Sequence, residues 1–227
     1  MIGILAGMGP MSTAPFIDAL MVAWRKKFNA IHDIDYPHVV IYSLPTPFYL
    51  DREINHKELE SSIAQGLCKL EGWGAEIIAM PCNTAHRYFE QLQAAIDVPL
   101  LNMIDATLAK LSDNLGNVTL FATQSTFESN VYQNGFEKAG VPFIFETAWQ
   151  DDVNKLISAM KVGDDSLVNV KANDLIKKVK EKGVQSIIIG CTDITTVVNS
   201  ASSRNGIVAI DSAACLVDSI ISKYSIN

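Results

Sequence analysis

Gly74-Ala75-Glu76-Ile77-Ile78-Ala79-Met80-Pro81-Cys82-Asn83-Thr84 and Gly183-Val184-Gln185-Ser186-Ile187-Ile188-Ile189-Gly190-Cys191-Thr192-Asp193 read alike. In each, a Gly closes a helix-length stretch, a short apolar run follows, and a Cys stands eight residues after the Gly. A run that is apolar at every position suits a parallel strand covered by helices on both faces. Each Cys therefore falls where a buried strand ends and the next helix begins.

Outward from these two stretches, similar runs lie at 2–6, 38–44, 98–103, 117–122 and 207–210, with the quoted strands at 75–80 and 185–189. Helix-length amphipathic segments separate them, among them 12–28, 56–72, 126–139, 166–182 and 212–224. The alternation predicts an α/β protein with doubly wound parallel sheets. The chain also repeats itself. The offset from Cys82 to Cys191 is 109 residues, from Ile2 to Val118 it is 116, and from Ile104-Asp105 to Ile210-Asp211 it is 106. Three matches in one order at nearly constant offset predict two pseudo-symmetric copies of one α/β unit. The expected domains are 1–103 plus 207–227, and 104–206, with an interdomain cleft. Ligands of open parallel sheets bind beyond the carboxyl ends of the strands, near a switch in strand order. Two facing units would carry Cys82 and Cys191 to opposite walls of that cleft.

The 227 residues include 48% hydrophobic and 19% charged side chains, which fits a folded globule and excludes an extensively disordered chain. A net charge of −7 supplies no long-range attraction for nucleic acid or an anionic membrane. Any cations that bind an anionic substrate must then be local. No apolar run approaches the roughly 18 residues of a spanning helix, and the apolar start lacks a basic leader. Four cysteines without a CxxC pair do not make a disulfide framework, so the expected setting is reducing and cytoplasmic.

Cys68 and Cys215 sit inside helical patterns and read as small hydrophobes. Cys82 and Cys191 are different, because small polar residues follow them at a helix start. Free N–H groups and the helix dipole there favour an anion and lower a thiol below its usual pKa of about 8.5. A metal centre is not expected, because the four His residues do not accompany the cysteines at ligand spacing. A phosphatase-like loop would need Arg six residues after Cys82, where Tyr88 stands. A single nucleophilic Cys82 with His86 as its base remains open, but it leaves Cys191 without a task. Two thiols suit a reaction in which one group removes a proton and the other donates one to the opposite face. Gly7-Met8-Gly9-Pro10-Met11-Ser12 begins like a dinucleotide fingerprint but has Ser12 at the third glycine, so no nicotinamide cofactor is expected. The turn instead offers the backbone N–H groups of Met8 and Gly9 to the cleft.

Gly7-Met8-Gly9-Pro10, Met80-Pro81-Cys82-Asn83-Thr84-Ala85-His86 and Gly190-Cys191-Thr192-Asp193-Ile194 together resemble the signatures of the aspartate/glutamate racemase family, in its aspartate racemase branch. Ala122-Thr123-Gln124-Ser125-Thr126, followed by Ser129 and Tyr132, resembles that branch's second-domain loop. The resemblance runs along essentially the whole chain. It implies a racemase without pyridoxal phosphate or any other cofactor, acting as a homodimer, with Cys82 and Cys191 as its catalytic acid/base pair. It further implies that Asn83, Thr84, Thr126 and Thr192 bind the α-carboxylate and amino group. By position, Arg52 and Lys161 would bind a side-chain carboxylate. The expected substrate is the dicarboxylic amino acid aspartate, interconverted between its L and D forms. Glutamate or another amino acid is the alternative within the family, and a non-catalytic dicarboxylate sensor the alternative outside it. The second motif departs from the family with Asp193, where Glu is more usual, and 45–51 is longer and more aromatic than the usual turn.

Overall fold

The computed structural model describes residues 1–49 and 52–224; Leu50 and Asp51, part of the aromatic segment before Arg52, lie outside them. Strand β1 (Ile2–Ala6) leads into α1 (Thr13–Phe28), β2 (Val39–Ser43), α2 (His56–Gly72), β3 (Ile77–Ala79), α3 (Phe89–Ala94) and β4 (Leu100–Leu101). Helices α4 (Met103–Leu108) and α5 (Gln124–Glu128) flank β5 (Val118–Ala122), and α6 (Gln133–Lys138), α7 (Thr147–Val162) and α8 (Asp165–Glu181) precede β6 (Ser186–Gly190). Helix α9 (Thr195–Asn205), β7 (Val208–Asp211) and α10 (Ser212–Tyr224) complete the described chain. The chain divides into one unit of Met1–Met103 with Ala213–Asn227 and another of Ile104–Ser212.

In the first unit four parallel strands take the order β2-β1-β3-β4. The two-residue period of a strand sends alternate side chains to opposite faces. Ile2, Ile4, Ala6, Ile77 and Ala79 pack under α1 and α10, through Phe16, Leu20, Leu216 and Ile220. Leu5, Ile78 and Met80 pack under α2 and α3, through Ile63, Leu67, Leu70 and Leu92. The second unit follows the same logic with β5-β6-β7, all parallel. Phe121, Ile187 and Ile189 meet α7, α8 and α9, whereas Leu120 and Ile188 meet Ile104, Tyr132 and Phe136. A parallel bridge from Val118 to Phe143 adds a fourth position beside β5. Phe143, β5, β6 and β7 therefore repeat the order of β2, β1, β3 and β4, and β3 and β6 hold the same place in their sheets.

Three expectations shift. Strand β7 pairs with β6 from Ser186↔Val208 to Ile189↔Asp211, and the Ser212 hydroxyl donates to Ile189 O at 2.7 Å. Residues 207–212 are thereby hydrogen-bonded into the second unit, and the return to the first comes at Ala213 rather than 207. The single helix expected at 126–139 is two short ones, because Asn130 takes a left-handed φ of 57° and ends the first. Cys68 is exposed, its thiol facing Ala95 O at 3.4 Å, whereas Cys215 is buried as expected.

Candidate functional site

In the first unit the strand order reverses direction between β1 and β3, and the residues leaving these two strands define the candidate site. Gly7 leaves β1 at φ 91°, and a Cβ there would lie 2.6 Å from the backbone N and O of Leu44, which leaves β2. Only glycine permits that approach. Next to it, the Ser12 hydroxyl donates to Gly9 O at 2.8 Å, closing the Gly9–Ser12 turn at the position where a dinucleotide pattern has its third glycine. Met8 and Cys82 are both half-buried and pack at the margin of the same core as Leu44, Phe48 and Ile54.

Beyond β3, the Cys82 N–H donates to Met80 O at 2.8 Å, a tight turn around Pro81. Asn83 and Thr84 are buried behind it, and a 3-10 turn over Thr84–Tyr88 runs into α3. His86 is also buried. Its Nε2 accepts from the Met103 N–H at 2.9 Å, which places the ring proton on Nδ1, and Nδ1 donates to Cys82 O at 2.8 Å. Both nitrogens thus serve the backbone, and neither is left to deprotonate Cys82. The single-cysteine reading with a His86 base is not supported. Tyr88, buried as well, bonds through its hydroxyl to His56 Nδ1 at 2.5 Å. Burial pushes its phenol up, the Arg87 guanidinium pulls it down, and the charges of Glu60 and Cys82 add to the rise. Arg52 is exposed, with its guanidinium 4.5 Å from the centre of the Tyr49 ring.

In the second unit the equivalent strand ends carry Thr123 and Cys191. The Thr123 hydroxyl accepts from the Thr126 N–H at 3.2 Å and bonds to the Thr126 hydroxyl at 2.9 Å. Thr126 itself is fully enclosed, whereas Thr123 stands nearer the surface. Cys191 is buried against the α7–α9 core and caps a 3-10 turn over Thr192–Ile194 that continues into α9. Thr192 and Asp193 are half-buried. Lys161, in the last turn of α7, reaches Asp193 with Nζ 3.1 Å from Oδ2. Two residues to which the sequence reading gave no role of their own appear here. Thr123 is legible in retrospect as a Thr three residues before the N–H it caps. Gln150 sits among the apolar positions of α7 and donates to Ala122 O, the last carbonyl of β5, at 3.0 Å. Nothing in its spacing sets that glutamine apart.

Within the first unit, then, Met8, Gly9, Cys82, Asn83 and Thr84 follow the ends of β1 and β3, and within the second, Lys161 reaches Asp193 in the turn that follows Cys191 and carries Thr192. Among the described residues no group of three or more His, Cys, Asp or Glu side chains is placed to hold a metal ion, and no helix is long and apolar enough to cross a membrane.

Comparison with known proteins gives the class first: residues 5–220 match the family described as Asp/Glu/Hydantoin racemase. The broad specificity amino-acid racemase RacX of Bacillus subtilis (strain 168) is 41% identical over 224 residues, 99% of this chain and 98% of that protein. The aspartate racemase of Picrophilus torridus superposes with a TM-score of 0.84 at 27% identity, over 99% of this chain and 94% of its own. Glutamate racemase isoform RacE1 of Bacillus anthracis shares the fold, with a TM-score of 0.74 at 16% identity over 100% of this chain and 82% of its own. The chain belongs to the Asp/Glu/hydantoin racemase family, and its class is amino-acid racemase.

Proposed function

We propose that this protein inverts the α-carbon of an amino acid by two-base proton transfer, with Cys82 and Cys191 as the two bases and no cofactor. The observation that carries the reading is their equivalence. Each cysteine follows the strand that holds the equivalent place in its sheet, β3 in one unit and β6 in the other, where a helical turn begins. In one direction the thiolate of one cysteine takes the α-proton, and the thiol of the other gives its proton to the opposite face of the planar carbanion. Thiol and thiolate have then exchanged places, and the reverse reaction restores them. No electron sink is needed if the carbanion's carboxylate receives hydrogen bonds from fixed donors, each worth about 2.7–4 kcal/mol in comparable oxyanion sites. The N–H groups at Met8 and Gly9 and the side chains of Asn83, Thr84 and Thr192 supply them. Thr126 acts through Thr123, which it holds in place.

Aspartate is the first substrate to test, because Arg52 and Lys161 are the cations that would meet a second carboxylate and because the Picrophilus torridus relative is an aspartate racemase. A broader side-chain range is the second reading, favoured by the Lys161–Asp193 ion pair and by the Bacillus subtilis relative. In either case the ligand is a free amino acid rather than a nucleic acid or a membrane. The assembly we propose is a homodimer.

Incubation of the wild type with L-aspartate in D2O is expected to replace the α-proton by deuterium while the D enantiomer accumulates, followed by NMR and chiral chromatography. Cys82→Ala and Cys191→Ala should each lower racemisation by about 10²–10⁴-fold or more, the usual worth of a positioned acid or base. A single Cys→Ser is expected to keep some deuterium exchange without inversion. Two Ala variants that racemise at the wild-type rate would end the two-cysteine mechanism.

A further inference from the structure

Lys161 closes the last turn of α7, and Asp193 stands in the turn directly behind Cys191 and Thr192. Ammonium and carboxylate are 3.1 Å apart, with the Lys161 side chain 36% exposed and that of Asp193 13%. The more enclosed member is the carboxylate, so the ammonium is the outward part of the pair and its charge is already matched from behind. A second carboxylate arriving at Lys161 has to share it with Asp193 and accept a like charge beside it. An uncharged polar side chain meets a neutral pair and suffers no such repulsion.

We infer that Asp193 is a specificity-determining residue: by occupying Lys161 it removes the demand for a side-chain carboxylate and admits amino acids with uncharged polar side chains. This rests on the two-cysteine racemase reading, in which the α-carbon lies beside Cys191 and Lys161 is one of the cations that would meet a side-chain carboxylate. It names the residue, Asp193, through which the ion pair widens the side-chain range, and the class of side chain admitted.

Aspartate and asparagine nearly share a shape and differ in charge, so their kcat/KM ratio isolates the effect. For the wild type the two values are expected within about tenfold of each other. Asp193→Asn should move the ratio toward aspartate by about three- to tenfold, the reach of one partly covered ion pair, through a lower KM for aspartate. Asp193→Ser should do the same, and adding Lys161→Met to either should cancel the shift. Thermal melts establish that each variant is folded, and if neither is, the wild-type ratio decides. Were Asp193 only bracing the turn behind Cys191, kcat would fall for both amino acids together and the ratio would stay. That result, or a wild-type preference for aspartate above about 100-fold, overturns the assignment. The racemase reading fails differently, with no α-proton exchange from either amino acid.

Discussion

A single imidazole shows how the candidate site is held. His86 ties the carbonyl of Cys82, after β3, to the N–H of Met103, at the start of α4, while itself buried. Removing it leaves a buried donor and a buried acceptor without this partner, at about 1–3 kcal/mol each. His86→Ala is therefore expected to lose about 2–4 kcal/mol of stability in urea denaturation. A loss within about 0.5 kcal/mol, the range of a surface substitution, would contradict that role. At this scale the sequence was partly legible. Cys82 and Cys191 stood out because both end an apolar run, whereas the role of His86 did not, since its partners come from residues 82 and 103 and depend on where β4 ends. Cys68 was misjudged for a related reason: a helical pattern gives a residue's spacing, and which stripe faces the core is set by what packs on it.

Among the elements, the turn joining α7 to α8 places Lys161. Gly163 ends α7 at φ 75°, with the Asp164 N–H bonded back to Ala159 O at 3.2 Å. Asp164 then caps α8, its carboxylate accepting from the Leu167 N–H at 3.1 Å and from the Ser166 hydroxyl at 3.0 Å. Those bonds hold its carboxyl below the ordinary value of 3.8, the Leu167 N–H contributing most. A folded-state pKa lower than the unfolded one gives stability that is present above the unfolded value and is lost as pH falls through the folded one. Asp164→Ala should accordingly lower the melting temperature at pH 7, and the gap should close as the pH falls below the ordinary 3.8 and through the lowered folded value. A gap equally wide in acid would show that the cap acts without its charge. Another element departs from its expectation for local reasons: the helix expected over 126–139 breaks because Thr123 caps early and Asn130 turns left-handed, choices that apolar spacing does not record.

Over the whole chain, the two units differ in continuity. Residues 104–212 carry an uninterrupted sheet with both faces covered by their own helices. The first unit depends on α10, which brings Leu216, Val217, Ile220 and Ile221 to the β1 face. A fragment of 104–212 is expected to fold by itself, giving dispersed amide signals in NMR and a cooperative melt. Residues 1–103 alone should not, unless 213–227 is joined to them through a short linker. An equally cooperative melt for 1–103 would refute the dependence. Placing 207–212 in the first unit was the error at this scale, because from sequence β7 and α10 read as one returning segment, and it is the ladder to β6 that divides them.

The sequence by itself determined the alternation of buried strands and helices, the internal repeat and the two post-strand cysteines. These follow from local chemistry: apolar runs bury on both faces, and a repeated pattern repeats its fold. Tertiary structure decided the rest. It turned His86 from a possible base into a backbone clamp, joined Lys161 to Asp193, enclosed Thr126 behind Thr123, and assigned β7 to the second sheet. The His86 bond to Met103, the Lys161–Asp193 pair and the β6–β7 ladder depend on groups distant in sequence meeting at hydrogen-bond range, and a partner that far along the chain leaves no local signature in the residues that await it.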